Sequence, residues 1–143
     1  MIIHQLNSTK DLNGLQSGAV VESRNPELLR KACERAKIFI NPLQAGPFYR
    51  DEALVRSVGG SQSSFAMPIA VLLKAKGGSR AKLFREIRFF IRLCLKLKAK
   101  FIFTNAFAQD KFDLKSAREM QAIATLFGLT PLQAKNATKT SFN

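Results

Sequence analysis

The chain has 143 residues and a formal net charge of +13, from 23 lysines and arginines against ten aspartates and glutamates. With 46% hydrophobic residues and twelve phenylalanines, it is too apolar for a disordered basic tail and large enough to bury a core without disulfides or metals. We expect one globular domain, residues 1–143, with a loop-rich start at 1–17 and a frayed tail at 138–143. The charge favours a polyanion, above all a nucleic acid, over an anionic membrane or a merely solvated surface.

Only Cys33 and Cys94 are cysteines, and each falls in an apolar helical pattern. This predicts two buried free thiols in a reducing compartment rather than a disulfide or a metal site. The longest apolar run, 65–73, is too short to cross a bilayer, and the first ten residues lack a signal-peptide pattern. We expect a cytoplasmic protein without a membrane partner.

The first part of the chain contains two predicted strands and a helix. Ile2-Ile3 begins a short strand, the polar stretch 7–17 is a loop or a single weak turn, and 19–22 is a second strand. Asn25-Pro26-Glu27 combines an N-cap, a proline at the first helical position and an acid in the first turn. The helix that starts there is predicted to run to about Ala36.

The central part of the chain alternates in the same way. The apolar triplet 38–40 is a buried strand, and 49–58 is a moderate helix whose Asp51-Glu52 pair suits its N-terminus. The next strand is predicted at 65–73, and a basic, glycine-containing loop follows at 74–79.

The last part of the chain contains the longest helix and the last strand. The helix is predicted from Arg80 to about Leu97, and the strand from Lys100 to Thr104. The remaining elements are, in order, a loop ending in the N-cap Asp113, a helix over 114–127 closed by Gly128, and a short helix from Pro131.

This alternation predicts an α/β fold in which parallel strands are joined by right-handed helical crossovers. Four or five strands cannot close an eight-stranded barrel. We therefore expect an open parallel sheet, an incomplete (β/α) TIM-type barrel, or a sheet completed by another chain, including by self-association.

The longest helix carries a cationic face. At about 100° per residue, five basic side chains fall in one arc of roughly 120°: Lys82, Arg85, Arg88, Arg92 and Lys96. The opposite side is apolar and includes Leu95 and Leu97, while Phe89 and Leu93 fall on or beside the basic arc. Glu86 is the only local acid, so the stretch 74–100 holds +9 of the net charge. This pattern favours contacts to RNA phosphates over a solvated face, and over a membrane-surface helix, because the following strand needs the apolar side.

Two predicted loops add cations to this face. In parallel α/β sheets, ligands meet the loops that follow the carboxyl ends of the strands. The side chains predicted to contact phosphates there are Lys74, Lys76, Arg80, Lys111, Lys115 and Arg118, with Asn105 as an uncharged hydrogen-bonding group. Plain solvent exposure is the alternative for each of these residues taken alone.

The sequence offers little for catalysis. The sole histidine, His4, cannot form a multi-histidine metal centre, and no phosphate-binding loop, nucleophile elbow or Cys/His ligand spacing is present. We predict no catalytic residue and no metal or cofactor on the polypeptide. A small metal-dependent hydrolase that uses His4, Asp110 or Asp113 remains as an alternative.

Four segments, in this order, resemble one family: VVESRNPELLRKACERAKIFINP, SFAMPIAVLL, SRAKLFREIRFFIRLCLKLKAKFIFTNA and DLKSAREMQAIATLFGLTPLQAKNATKTSF. The resemblance is carried by Arg80 at the head of the long helix, a strand ending in Thr104-Asn105-Ala106, and a helix reaching Phe127-Gly128-Leu129. Over 18–142 the chain is similar to archaeal ribonuclease P protein component 3, the thirty-kilodalton subunit family. It departs from that family at Lys115-Ser116-Ala117, where members usually have Arg-Ser-Pro or a relative of it.

The resemblance implies a (β/α) barrel related to metal-dependent phosphoesterases but without their metal ligands, in chains that are longer at the N-terminus. It implies an RNA-binding subunit that helps ribonuclease P RNA remove the 5′ leader from precursor tRNA, with Mg²⁺ held by the RNA. It also implies further ribonuclease P protein subunits as partners, among them a small ferredoxin-like one. Apolar surface for that partner would come from Phe48, Tyr49, Phe89 or Phe107. The competing hypothesis is another basic ribonucleoprotein component, for instance of a ribosome.

Overall fold

The computed structural model describes residues 2–40, 51–105 and 115–138. Five strands form one sheet in sequence order, β1 Ile3–Gln5, β2 Ala19–Glu22, β3 Ala36–Ile40, β4 Ser64–Pro68 and β5 Lys100–Thr104. Every neighbouring pair is parallel. Within the described ranges the sheet is open, with β1 and β5 at its edges. The predicted α/β fold with an open parallel sheet, as in an incomplete TIM-type barrel, is therefore confirmed.

Seven helices are described: α1 Thr9–Asn13, α2 Pro26–Ala32, α3 Glu52–Gly59, α4 Ile69–Lys74, α5 Gly77–Leu97, α6 Ala117–Leu126 and α7 Pro131–Thr138. The stretch 7–17, expected to be a loop or a weak turn, contains the short helix α1. Its Asp11 carboxylate accepts hydrogen bonds from the backbone amides of Asn7 and Ser8, at 2.8 and 2.9 Å. These two bonds are the main reason that the pKa of Asp11 lies below its usual range.

Most of the core lies between the helices and one face of the sheet. A small third cluster of Ile38, Ala66 and Ile102 is buried at the alternate positions of β3, β4 and β5. One cluster joins Phe39 and Phe65 of the sheet to Phe90 of α5, and the rings of Phe65 and Phe90 meet edge to face with centroids 4.8 Å apart. A second cluster joins Phe103 of β5 to Phe127 after α6, with centroids 5.6 Å apart. Each fully buried phenylalanine contributes roughly 1.5–3 kcal/mol of hydrophobic stabilisation, so this packing sets the position of α5 against the sheet.

The predicted helix from Pro26 was too long at its C-terminus. Its start is confirmed, because the Asn25 side chain accepts a hydrogen bond from the backbone amide of Glu27 at 3.0 Å. However, α2 ends at Ala32, and Ala36 is the first residue of β3, paired with Ala19 of β2. Burial of Ala36 within the sheet outweighs the weak intrinsic preference for one more helical turn.

The predicted strand 65–73 is a strand followed by a helix. Pro68 ends β4 and precedes α4, because proline has no amide hydrogen for a sheet ladder and its φ of −64° suits a helix start. A short apolar run fits a buried helix as well as a strand, so the sequence pattern could not separate the two. The loop predicted at 74–79 is correspondingly shorter, since Lys74 ends α4 and Gly77 begins α5.

Two helix starts also differ from the prediction. α3 begins at Glu52 rather than at residue 49, and the Asp51 carboxylate caps it by accepting a hydrogen bond from the Leu54 amide at 2.9 Å. The predicted structural role of this acid is thereby confirmed. α6 begins at Ala117 rather than at residue 114, and its N-cap is Ser116. Asp113, which was predicted to be that cap, lies outside the described residues.

The C-terminal predictions hold with small shifts. Gly128, with a φ of +89°, closes α6 at Leu126, one residue earlier than expected. Thr138 is the last residue of α7, and 139–143 of the predicted frayed tail lie outside the described residues. On α5, Leu93 is buried although the wheel placed it beside the cations, and Leu95 is 46% exposed although the wheel placed it on the apolar side. α5 packs against both α3 and the sheet, which turns its buried stripe toward Leu93.

Candidate nucleic-acid interface

The cationic side of α5 faces outward. Phe90, Ile91 and Cys94 bury the opposite side of the helix against the sheet. The six cations predicted on this helix are all exposed, and we call them the basic face: Arg80, Lys82, Arg85, Arg88, Arg92 and Lys96. At 1.5 Å per residue the face is roughly 24 Å long, long enough to follow several consecutive phosphates.

Little of this charge is neutralised by neighbouring acids. Lys82 lies 4.0 Å from Glu86, and the Lys82 side chain is 73% exposed, so solvent weakens the pair. Among the described residues, no other ion pair joins a carboxylate to the basic face. A row of like charges one helical turn apart costs a few tenths of a kcal/mol per pair, and a bound polyanion would remove that cost.

Arg88 differs from the other members of the basic face. Its Nε and Nη2 atoms donate hydrogen bonds to the backbone carbonyl of Leu126, at 3.3 and 3.1 Å. This carbonyl ends α6, where a positive charge is favourable to the helix dipole. Arg88 therefore ties α6 to α5 and contributes to the fold as well as to the surface charge.

The N-terminus of α5 lacks the usual stabilising groups. α2, α3 and α6 each begin with a side chain that accepts a backbone hydrogen bond and with an acid in the first turn. α5 has neither, its N-cap is Lys76, and the exposed cations Lys74 and Arg80 lie before and within its first turn. Free backbone amides and a positive dipole end favour an anion at this position.

Asn105 and Lys115, which flank residues 106–114 outside the described ranges, are joined by two hydrogen bonds. The Asn105 side chain donates to the Lys115 carbonyl at 2.7 Å and accepts from the Lys115 amide at 3.0 Å. The amide of Asn105 thus ties the two ends of the loop together instead of pointing freely to solvent. Arg118 is exposed and Lys115 is half-buried, while Lys111 lies outside the described residues.

An acid lies among these loop cations. The Glu119 carboxylate accepts a hydrogen bond from the Ser116 amide at 2.8 Å, and Ser116 accepts one from the Glu119 amide at 3.2 Å. The bond from Ser116 is the main reason that the pKa of Glu119 is lowered, and the charge of Lys115 lowers it further. The Glu119 charge offsets part of the positive charge of this loop. The pattern Ser-x-x-Glu is visible in the sequence and indicates the helix start that the prediction missed.

The groups predicted for a metal-dependent hydrolase are described only in part. No three histidines, cysteines, aspartates or glutamates among them come together as metal ligands. Both cysteines are buried and free as predicted, and burial raises the pKa of Cys33 to about 11 and that of Cys94 further. His4 is in β1, and β5 is four strand spacings away, roughly 19 Å along the sheet. Asp110 and Asp113 lie outside the described residues.

Three exposed lysines lie outside the predicted site, at the edge of the sheet where the strands begin. Lys37 is the second residue of β3, Lys100 is the first residue of β5, and Lys98 immediately follows α5. The prediction missed them because it placed ligands at the opposite edge. The sequence contains one indication of this second site: the residue after the last turn of the long helix is a lysine, where a glycine is usual.

The apolar surface predicted for a protein partner is described only in part. Phe89 is 45% exposed, and Phe48, Tyr49 and Phe107 lie outside the described residues. Leu126 and Leu132 are also exposed, on α6 and α7. None of the helices in the described ranges combines the length and the apolar character that a membrane span requires.

Comparison with known proteins places the fold. No protein-family model matches the chain, and no curated protein matches it. Among solved structures, the chain is similar to a chain in the cryo-EM structure of archaeal ribonuclease P with mature tRNA, with a TM-score of 0.78 and 21% sequence identity. The match covers 94% of this chain and 62% of that chain. This protein therefore has the fold of a chain found in archaeal ribonuclease P, over less than two thirds of that chain's length.

Proposed function

We propose that this protein is an RNA-binding subunit of ribonuclease P of the component 3 type, which assists the removal of the 5′ leader from precursor tRNA. The observation that carries the proposal is the exposed basic face of α5 on a fold shared with a chain of archaeal ribonuclease P. The resemblance of the sequence to component 3 supports the same assignment.

The charge distribution supports RNA as the main partner. Arg80, Arg85, Arg92 and Lys96 are exposed and have no acidic partner among the described residues. Each cation that contacts a phosphate releases condensed counterions, which supplies affinity without a closely shaped pocket. The uncapped N-terminus of α5, flanked by Lys74 and Lys76, adds backbone amides to the same surface.

The polypeptide binds and positions RNA in this proposal, and the Mg²⁺ ions that act in cleavage are held by the RNA. Its partners are ribonuclease P RNA, precursor tRNA and further protein subunits, including a small ferredoxin-like one. Self-association at an open edge of the sheet is a further expectation.

The test is reconstitution of precursor tRNA cleavage from ribonuclease P RNA and its protein subunits, with and without this chain. We expect the chain to raise the cleavage rate at low Mg²⁺ and to bind that RNA more tightly than a ribosomal RNA fragment of equal length. Equal affinity for both RNAs and an unchanged cleavage rate would instead support a different ribonucleoprotein component. Turnover by the isolated protein with a divalent metal would support the hydrolase.

A further inference from the structure

The two edges of the sheet differ sharply in charge. We define the carboxyl edge as the side where the strands end and the amino edge as the side where they begin. Eight of the ten acids of the chain are in described residues, and six of these lie at the carboxyl edge: Asp11, Glu22, Glu27, Asp51, Glu52 and Glu119. Most of them stabilise helix starts, which explains their position. They also offset the cations of that edge, so the carboxyl edge is less favourable to RNA than the sequence alone implies.

The amino edge carries positive charge with one described acid, Glu34. Its exposed cations include Arg35 and the three residues Lys37, Lys98 and Lys100, which we call the amino-edge lysines. Cations often follow helices because they complement the helix dipole. Lys37 and Lys100 are in strands, so that explanation does not apply to them.

Lys98 has a backbone conformation that favours glycine. Its φ is 60°, and it is the only non-glycine residue with positive φ in the part of the chain that the structure describes. It occupies the left-handed position of a Schellman motif, in which the Ala99 amide bonds to the Cys94 carbonyl at 2.9 Å. The corresponding position after α6 is Gly128. A lysine at this position lowers the stability of the fold relative to glycine. A role of the Lys98 charge in binding would account for that cost.

The amino edge is continuous with the basic face. α3 and α5 touch where they end, so closely that a Cβ atom on Gly59 would overlap the Leu97 carbonyl oxygen. A cleft of about 830 Å³ beside this contact is lined by the residues just after Gly59, by Arg30, Arg35 and Lys37, and by the acid Glu34. Asp51 lies 3.9 Å from Arg30 and offsets part of its charge. Lys96 in the last turn of α5, Lys98 just after it and Lys100 at the start of β5 are all exposed, so exposed cations continue from the basic face to the amino edge.

We propose that the RNA-binding surface turns from the basic face around the amino edge of the sheet, with Lys37, Lys98 and Lys100 contacting phosphates. The inference extends the proposed RNA-binding function and rests on it for the identity of the ligand. RNA fits this surface because its backbone supplies regularly spaced anions, and because the exposed cations of the amino edge outnumber its one described acid, Glu34. The carboxyl edge then has a smaller share in binding than in most parallel α/β proteins.

The first experiment compares two triple variants of the full chain, each with three charges removed. K37Q/K98G/K100Q removes the amino-edge lysines, and K10Q/K31Q/K135Q removes three exposed lysines elsewhere. The probe is poly(U), with the dissociation constant measured from 0.05 to 0.3 M salt. We expect the first variant to lose at least tenfold in affinity at 0.1 M salt, and its log–log salt slope to fall by about 2. Equal slopes for the two variants would overturn the proposal.

The second experiment uses K98G alone, because the proposal predicts that this variant is more stable but binds RNA more weakly. Replacing Lys98, whose backbone is in the left-handed region, with glycine should raise the Tm by about 2–4 °C. Poly(U) affinity should fall severalfold, and the salt slope should fall by about 0.7. A more stable protein with unchanged RNA binding would show that Lys98 has no part in the interface.

The outcomes separate this inference from the proposed function. In one outcome, the amino-edge variant loses poly(U) binding but the wild-type chain has no effect on precursor tRNA cleavage. That result would support the amino-edge surface and contradict the ribonuclease P function. In the opposite outcome, both triple variants stimulate cleavage as the wild type does and their poly(U) salt slopes are unchanged. That result would support the ribonuclease P function and contradict the amino-edge surface.

Discussion

α5 and α6 cover the same face of the sheet, but their ends are built in opposite ways. α6 begins with the reciprocal hydrogen bonds of Ser116 and Glu119, and Gly128 in the left-handed conformation follows its end. α5 follows the N-cap Lys76, whose side chain makes no capping hydrogen bond, and is followed by Lys98 in that same conformation. At each end, α6 has a residue that stabilises a helix well and α5 has a lysine. α5 therefore retains positive charge at both ends at the expense of local stability, which is what the RNA-binding role proposed for it requires.

The largest effect is expected from reversing charges on α5. R85E/R92E/K96E should lower RNA affinity by roughly 100-fold or more at 0.1 M salt, because three phosphate contacts are replaced by repulsion. Filter binding or fluorescence anisotropy over a salt series would measure it. K10E/K31E/K135E is the matched control with the same change in net charge. A comparable loss in the control would show that net charge, rather than the basic face, determines binding.

Next in size is the contact between the ends of α3 and α5. G59A should lower the free energy of unfolding by about 2 kcal/mol, because the new methyl group must displace the backbone at Leu97. Urea denaturation would measure the change. G14A is the control, since no heavy atom beyond its chain neighbours lies within 4 Å of the new Cβ. If both variants have wild-type stability, the two helix ends are not in close contact.

Removing the cap of α6 should have a moderate effect. S116A should cost about 1 kcal/mol, because the Glu119 amide loses its hydrogen-bond acceptor. S79A in the first turn of α5 is the control, and its unfolding free energy should stay near that of the wild type because α5 has no side-chain cap. Equal losses of unfolding free energy in S116A and S79A would show that the starts of α5 and α6 do not differ in side-chain capping.

Adding a cap to α5 should have a smaller effect of opposite sign. K76D should raise the free energy of unfolding by about 0.5–1 kcal/mol, because Lys76 has the extended backbone of an N-cap, with φ of −133°, and an acid there favours the dipole. The same variant should bind RNA more weakly. Thermal unfolding and anisotropy would measure both, with K76Q as the control for loss of charge alone. If K76D and K76Q both bind RNA as tightly as the wild type, the start of α5 is not part of the RNA-binding surface.

The smallest effect concerns the pH dependence of α6. The folded-state pKa of Glu119 lies below its ordinary value of 4.5, so its ionised form stabilises the fold above that pH. This contribution should disappear as the pH falls through the lowered pKa. E119Q should therefore be slightly less stable than the wild type at pH 7, and the difference should vanish once the pH is below the lowered pKa. A stability difference that is independent of pH would show that the charge of Glu119 does not matter.

The elements with their own local signals were predictable. Asn25-Pro26-Glu27 marked the start of α2, Gly128 marked the end of α6, and β5 was predicted with its observed bounds. The errors fell where a local pattern fits two structures. The apolar residues of α4 also suit a strand, and Pro68 was predicted to mark a bulge or an irregular start although it ends β4.

The candidate site was predicted as a set of charges but not as an arrangement. The exposure of Arg85, Arg92 and Lys96 follows from helical periodicity, and the structure bears it out. The hydrogen bonds of Arg88 to the Leu126 carbonyl and of Asn105 to Lys115 could not be predicted, because each joins residues whose proximity depends on packing.

The sequence by itself determined the alternation of strands and helices, the excess of positive charge and its concentration on one helix. These properties follow from residue order and helical periodicity, which act over a few residues. Only the tertiary structure decided which edge of the sheet keeps its positive charge. Acids at helix starts collect at the carboxyl edge, and Lys37, Lys98 and Lys100 come together at the amino edge, because the parallel strands of the sheet all run in one direction.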